Sequence, residues 1–359
     1  MTLFSEPTPN SPKKRIAGLV FLAIFVAATV GLVVLPTPYV IEQPGPVVNV
    51  LGTHQTQQVI SIEDAKWYPT KGALDLLTVN IVGTRDHTPS WPELLLAWLD
   101  PQKAIIPIDE VFPINQTQQQ NDAESQAMME QSQQDAIYVA LTKLGYKVPT
   151  HIYVSEVKKN APSSKKIVAG DYIESINGEA PATIDGLRDL INKYGDKALD
   201  VKVLREGKEL HYSILPALDS QTQKLMLGIF VGYKYDFPIK VNLQLSDIGG
   251  PSGGTMFALG IYDRLTPGAL TGGENIAGTG TIDASGAVGP IGGIQQKMYG
   301  AKNAGAKYFL APEQNCGEVV GHVPDGLKLF KVATFDQALS VVEAIGQHQD
   351  LSKFATCTK

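Results

Sequence analysis

The sequence predicts an α+β fold in two domains behind a single apolar N-terminal helix. Three observations carry that expectation. After residue 227 strand-like and helix-like segments alternate; between 150 and 217 the pattern changes to short strands, tight turns and one helix; and residues 16–35 are apolar and uncharged. A chain of 359 residues with 43% hydrophobic and 18% charged residues suits about two globular domains. The net charge of −6, with no basic cluster beyond the N-terminus, excludes nucleic acid as an expected partner.

Residues 16–35 are long enough to cross a hydrocarbon core of roughly 30 Å as a helix. Lys13, Lys14 and Arg15 precede the run, and the next lysine or arginine is Lys66. By the positive-inside rule, residues 1–15 stay cytoplasmic and the chain after Pro36 lies outside. A cleaved signal peptide would have a shorter apolar core and a small-x-small cleavage site, so an uncleaved single-pass anchor is expected.

Residues 39–46 read as a strand and turn, and 73–81 as a strand with Leu74, Leu76 and Thr78 alternating. Residues 91–99 form a short helix capped by Ser90 with Pro92 in its first turn. The glutamine-rich stretch 115–120 reads as a surface loop entering a helix over 122–144. Met128, Met129, Ile137, Tyr138, Leu141 and Leu144 fall at helical spacing there, and Gly145 stops the helix.

The next segment has strands at 152–157 and 170–178, the second ending in an Asn177-Gly178 turn. An amphipathic helix follows over 184–193, then a hairpin of 199–204 with 210–215 across Glu206-Gly207. Past a polar linker at 218–221, strands at 227–231 and 239–245 lead to Gly249-Gly250-Pro251-Ser252-Gly253-Gly254 and a helix over 255–265. A serine where a glycine-rich turn feeds a helix exposes its hydroxyl, and the first N–H groups of that helix, with Gly253 foremost, face whatever carbonyl it attacks. A second glycine pair, Gly292-Gly293, opens a helix that carries Lys297 in its first turn. A lysine is electrostatically misplaced there, and as an exposed group its neutral form at pH 7 would cost roughly 4 to 5 kcal/mol. Burial and the positive helix end both lower that cost, which makes Lys297 a candidate base. Strands at 308–312 and 327–332, a helix over 335–345 and a tail from 347 to 359 complete the chain.

The motifs Pro251-Ser252-Gly253-Gly254, Ile276-Ala277-Gly278-Thr279-Gly280 and Val288-Gly289-Pro290-Ile291-Gly292-Gly293, followed by Lys297, resemble the proteolytic domain of Lon proteases. The resemblance implies a serine-lysine dyad of Ser252 and Lys297, with Thr279 hydrogen-bonding near the lysine. One departure is Gly249, where many Lon proteins carry an acidic residue. Residues 149–217, with Ala169-Gly170-Asp171, Ile176-Asn177-Gly178 and Arg205-Glu206-Gly207-Lys208, resemble a bacterial PDZ domain. Such a domain would bind an extended peptide beside the helix 184–193, with Gly145-Tyr146 as the candidate carboxylate loop. Together the resemblances imply a bacterial membrane protease whose domain is split into 38–146 and 225–346 around an inserted PDZ domain. They also imply a ring-forming homo-oligomer, with a hexamer as one option, acting on protein or peptide substrates.

Cys316 and Cys357 are the two cysteines. Outside a reducing cytosol their pairing is the expected state. A serine-histidine-aspartate site is the rival chemistry, but none of His54, His87, His151, His211, His322 and His348 stands in a recognisable motif. No HExxH or clustered ligand spacing supports a metal, no GxxxxGK(S/T) loop supports a nucleotide, and no cofactor is expected. Substrates should therefore be segments already unfolded or extended. The remaining alternative is a catalytically silent, membrane-tethered PDZ scaffold on a protease-like fold.

Overall fold

The computed structural model describes residues 12–114, 116–219, 223–245 and 248–358, with side chains at all of them except 12–15, 27–30 and 32–34. It divides into two compact units, Met1–Ala140 with Lys240–Lys359, and Leu141–Ile239. Most of the expected cytoplasmic segment, Asn115 of the glutamine-rich stretch, and Ser220 and Gln221 of the linker lie outside the described residues.

Helix α1, Pro12–Val34, carries the N-terminal apolar run and leaves Ile16, Leu19, Phe21, Leu22 and Ile24 exposed. Among the described residues no helix is long and apolar enough to cross a membrane. That departs from the transmembrane expectation for 16–35, a run of which several side chains lie outside the described set. Strand β1, Tyr39–Asn49, is followed by β2, Ile60–Glu63, and β3, Ala73–Val82. Strands β1 and β3 pair antiparallel, with a shift between Pro44 and Val47 where proline cannot donate to the ladder.

Helix α2, Trp91–Trp98, starts at Ser90, whose N–H and hydroxyl both donate to Glu93 Oε2 at 2.7 Å. Its Leu94 and Ala97 are buried against Ile41, with Tyr39 and Ile105 alongside. Strand β4, Ala104–Pro107, pairs with β1. Helix α3, Gln118–Lys143, begins earlier than the expected 122. The reason is a capping box: Gln120 N donates to Thr117 Oγ1 at 3.2 Å, and Thr117 N to Gln120 Oε1 at 2.9 Å.

The second unit is a five-stranded antiparallel sheet with one helix. Its elements are β5, Thr150–Val157, β6, Tyr172–Ile176, helix α4, Ile184–Lys193, β7, Leu199–Arg205, β8, Lys208–Ile214, and β9, Ile229–Tyr235. The strand order is β8-β7-β6-β5-β9. Ile176, Leu187, Leu199, Val201 and Ile214 fill its core. The hairpin closes with Arg205 opposite Lys208, so Glu206 and Gly207 take the positive φ values of 51° and 77° that a two-residue turn of matching twist requires. Asp171 is fully buried and receives Arg205 Nε at 2.6 Å, pairing the Gly170-Asp171 and Arg205-Glu206 motifs directly. The unit extends past the expected end at 217. Strand β9, expected to begin the return to the catalytic domain at 225, pairs with β5 instead, because an alternating strand carries no mark of which sheet it joins.

The chain returns with β10, Lys240–Leu243, which pairs with β2. Then follow helix α5, Gly254–Leu265, β11, Asn275–Gly278, helix α6, Ile294–Asn303, β12, Tyr308–Pro312, β13, Lys328–Val332, and helix α7, Phe335–Gly346. The six-stranded sheet runs β13-β12-β11-β3-β1-β4, parallel from β13 through β3 and antiparallel beyond. Successive residues of a strand face opposite sides, and here Leu76 meets α5 at Gly253 while Leu77 packs with Ile294, Met298 and Ala301 of α6. Helices therefore cover both faces of the sheet near the middle of β3.

Cys316 and Cys357 are bonded, with Cα atoms 5.1 Å apart. Closing a loop of 41 residues stabilises by about 4 kcal/mol in the chain-entropy model. Denaturant unfolding of the protein with and without reductant should show a loss of that order, and the Cys316→Ser chain should behave as the reduced protein does. Two free thiols titrating in the native oxidised protein would contradict the pairing.

Candidate active site

The turn before α5 is fixed from three sides. Gly250 N donates to Ser125 O at 2.9 Å, and Ser132 Oγ donates to Pro251 O at 2.8 Å, both from α3. The carbonyl of Ser252 receives Gly280 N at 2.8 Å and Thr279 Oγ1 at 3.1 Å from the segment just after β11. Gly253 is the N-cap of α5, so its N–H precedes the helical ladder. A Cβ there would lie 2.4 Å from Leu76 Cδ1, so the end of the Leu76 side chain would have to shift to accept one.

Helix α6 enters from Gly293, whose φ of 65° is left-handed. A Cβ at that position would lie 2.6 Å from both Glu42 Oε1 and Val79 Cγ1. The loop before it is clipped by Asn315, which accepts from Ile291 N at 3.0 Å and donates to Ile291 O at 2.9 Å. With both helix starts held, Lys297 Nζ reaches Ser252 Oγ at 3.0 Å and Thr279 Oγ1 at 3.4 Å. Because the Thr279 hydroxyl gives its proton to Ser252 O, its lone pairs are left facing the amine.

Lys297 is only 3% exposed. Burial pushes its pKa down to about 8, against the field of Glu42, which pulls it up. At pH 7 the neutral amine then costs about 1.4 kcal/mol instead of roughly 5. Glu42 is itself pushed up by burial and pulled down by the Lys297 charge. The sequence reading missed Glu42: it sits in β1 among ordinary strand residues, and only the fold brings it near α6. The open side of the site is a pocket of about 350 Å³ bordered by Pro46, His54, Thr78, Asn80, Ile248 and the dyad. His54 thus reaches the pocket although no motif marked it, while the hydrogen bond to Ser252 Oγ comes from Lys297. Gly145-Tyr146, the candidate carboxylate loop, lies between the end of α3 and β5. The edge strand beside α4 is β9, whose Tyr233 hydroxyl accepts from Ile184 N at 2.8 Å. Among the described residues no group of His, Cys, Asp and Glu could hold a metal ion.

Residues 209–345 match the family model of the Lon protease (S16) C-terminal proteolytic domain. The chain is 32% identical over 184 residues to a Lon protease of Campylobacter concisus, covering 48% of this chain and 22% of that protein. It is 32% identical over 108 residues to Lon protease 2 of Bacillus subtilis, covering 30% of this chain and 19% of that protein. The matches therefore span about a fifth of the length of these relatives. The PDZ domain of an SdrC-like protein from Listeria innocua is similar over 23% of this chain and 92% of that one, at 23% identity and a TM-score of 0.22. Homology to the Lon proteolytic domain supports a protease function for this chain.

The buried amine makes activity pH-dependent. The working base is neutral, so kcat/KM should climb about tenfold per pH unit below 8 and level off above it; a flat profile from pH 5 to 9 would contradict the dyad. Glu42→Gln removes a negative neighbour and should shift that rise to lower pH. For stability, the folded-state pKa lies below the unfolded value, so the unfolded chain binds more protons between about pH 8 and 10.5 and stability increases with pH across that window. Below pH 8 the ammonium carries a penalty on the order of 3 kcal/mol, and Lys297→Met should raise the unfolding midpoint at pH 7 while abolishing turnover.

Proposed function

We propose that the chain is a membrane-anchored serine endopeptidase that cleaves unfolded or extended segments of extracytoplasmic proteins without ATP. The observation that carries this reading is the 3.0 Å contact between Ser252 Oγ and the buried amine of Lys297. Neutral Lys297 takes the proton of Ser252 as its oxygen adds to the substrate carbonyl. The developing oxyanion is held by backbone N–H groups at Ser252 and Gly253, each worth roughly 3 to 4 kcal/mol in comparable sites. The lysine then hands its proton to the departing amine, leaving an acyl-serine. Water, deprotonated by the same amine, releases the second product and restores the hydroxyl.

Extended substrates suit the sheet. Strand β11 pairs with β3 only from Ala73 to Leu76, while Thr78, Val79 and Asn80, further along β3, border the Ser252 pocket. A substrate strand added to that stretch would lay its backbone beside the nucleophile. The inserted unit supplies a second edge, β9 beside α4, suited to an extended peptide of a substrate or partner. Ring assembly and residence in a bacterial membrane, with the N-terminus inside, are part of the same reading. They rest on the family likeness, on Lys13, Lys14 and Arg15 before the apolar run, and on the exposed apolar side chains of α1.

Purified protein should degrade unfolded casein and leave a stable globular protein intact, with no change on adding ATP. Ser252→Ala and Lys297→Arg should each lower the rate by at least about 10³-fold, the arginine because it stays protonated. His54→Ala should retain most activity; its loss, with Lys297→Arg active, would replace the dyad by a histidine mechanism. Recovery of the native chain in the carbonate-washed supernatant of broken cells would sink the anchor.

A further inference from the structure

Helix α2 is apolar on both sides. Leu94 and Ala97 face the core, yet Trp91, Leu95, Trp98 and Leu99 are exposed, Trp98 at 73% and Leu99 at 66%. Their spacing of four, three and one places them on a single outward stripe, with the equally bare Leu96 at its margin. So much large apolar surface on an eight-residue helix and its C-cap, Leu99, marks an interaction site.

The structure also places that stripe at the root of the anchor. Thr37, just beyond the apolar run, donates its N–H to Thr88 Oγ1 at 3.0 Å and its hydroxyl to Pro89 O at 2.7 Å. Trp91 follows two residues later. Thr37 is itself buried, so the chain leaving α1 is tied to the start of α2 and not merely near it. A helix held at the point where an anchor emerges lies at the level of the lipid headgroups. Two tryptophans at its ends and leucines between them are the side chains that partition into that layer.

We propose that α2 is an interfacial helix that seats its Trp91-Leu95-Trp98-Leu99 stripe in the outer headgroup–acyl boundary of the membrane, resting the protease domain on the bilayer. The proposal builds on the anchor reading. Its only charged residue is Glu93, engaged with Ser90, so contact does not depend on anionic lipid, and zwitterionic bilayers suffice.

The test uses full-length chain in phosphatidylcholine vesicles containing lipids brominated at shallow or deep acyl positions. One variant, Trp67→Phe with Trp91→Phe, leaves Trp98 as the reporter; another replaces all three tryptophans by Phe and carries Val26→Trp in the middle of the apolar run. Trp98 emission should fall at least twofold with shallow bromines and less with deep ones, whereas the reporter at position 26 should respond more to deep ones. If position 26 is quenched and Trp98 is not, the interfacial helix is wrong while the anchor stands. If position 26 is unquenched, the anchor fails and the inference falls with it. A Trp98 that ignores bromine yet is shielded from aqueous iodide belongs to a contact with a second copy, which also overturns the proposal.

Discussion

The structure depends on keeping one amine dry. A lysine works as a base near neutral pH only if water is kept from its ammonium form, and here Lys297 is almost fully buried. Leu76 and Leu77 turn the middle of β3 into a partition with a helix on each face. The starts of those two helices then converge past the end of β11. Gly293, left-handed and with Glu42 and Val79 where a methyl would stand, suits the convergence, and a methyl at Gly253 would displace the end of Leu76. The hydrogen bonds to Ser252 O and Pro251 O do the complementary job of holding the nucleophile still while the lysine approaches.

Burial alone would overshoot. An amine with no counter-charge would lose its proton too readily to hand one to a leaving group, and Glu42 opposes that by stabilising the ammonium. The same pairing offsets only part of the burial of the carboxylate, whose pKa stays raised. The lowered pKa of Lys297 is the net of two opposed effects, burial the larger and the field of Glu42 the smaller.

The meeting of Ser252 with Lys297 was legible in the sequence because ordered motifs carry it: a serine at a glycine-rich turn before one helix and a lysine in the first turn of a later one. The helix 184–193 and the hairpin around Glu206-Gly207 were legible for the same kind of reason, amphipathic spacing in one and turn stereochemistry in the other. Glu42 was not, because its role depends on which strand lies under α6, and β1 and α6 are far apart in the chain. Strand β9 was misplaced because alternation specifies a strand and not its neighbour. Strands β2, β4 and β11 have four residues each, too few for a period to register. The N-terminal run reads as a membrane span in sequence, while the described side chains of α1 stop short of one.

The insertion has a particular covalent position. It leaves the catalytic unit at the end of α3 and rejoins it at Lys240. Upstream, α3 is the helix whose Ser125 and Ser132 grip the nucleophile turn; downstream, β10 runs on towards Gly249 and Gly250 of that turn. Eight residues separate Ala140 from Ser132 and nine separate Lys240 from Gly249, so both covalent crossings adjoin segments that border the Ser252 turn.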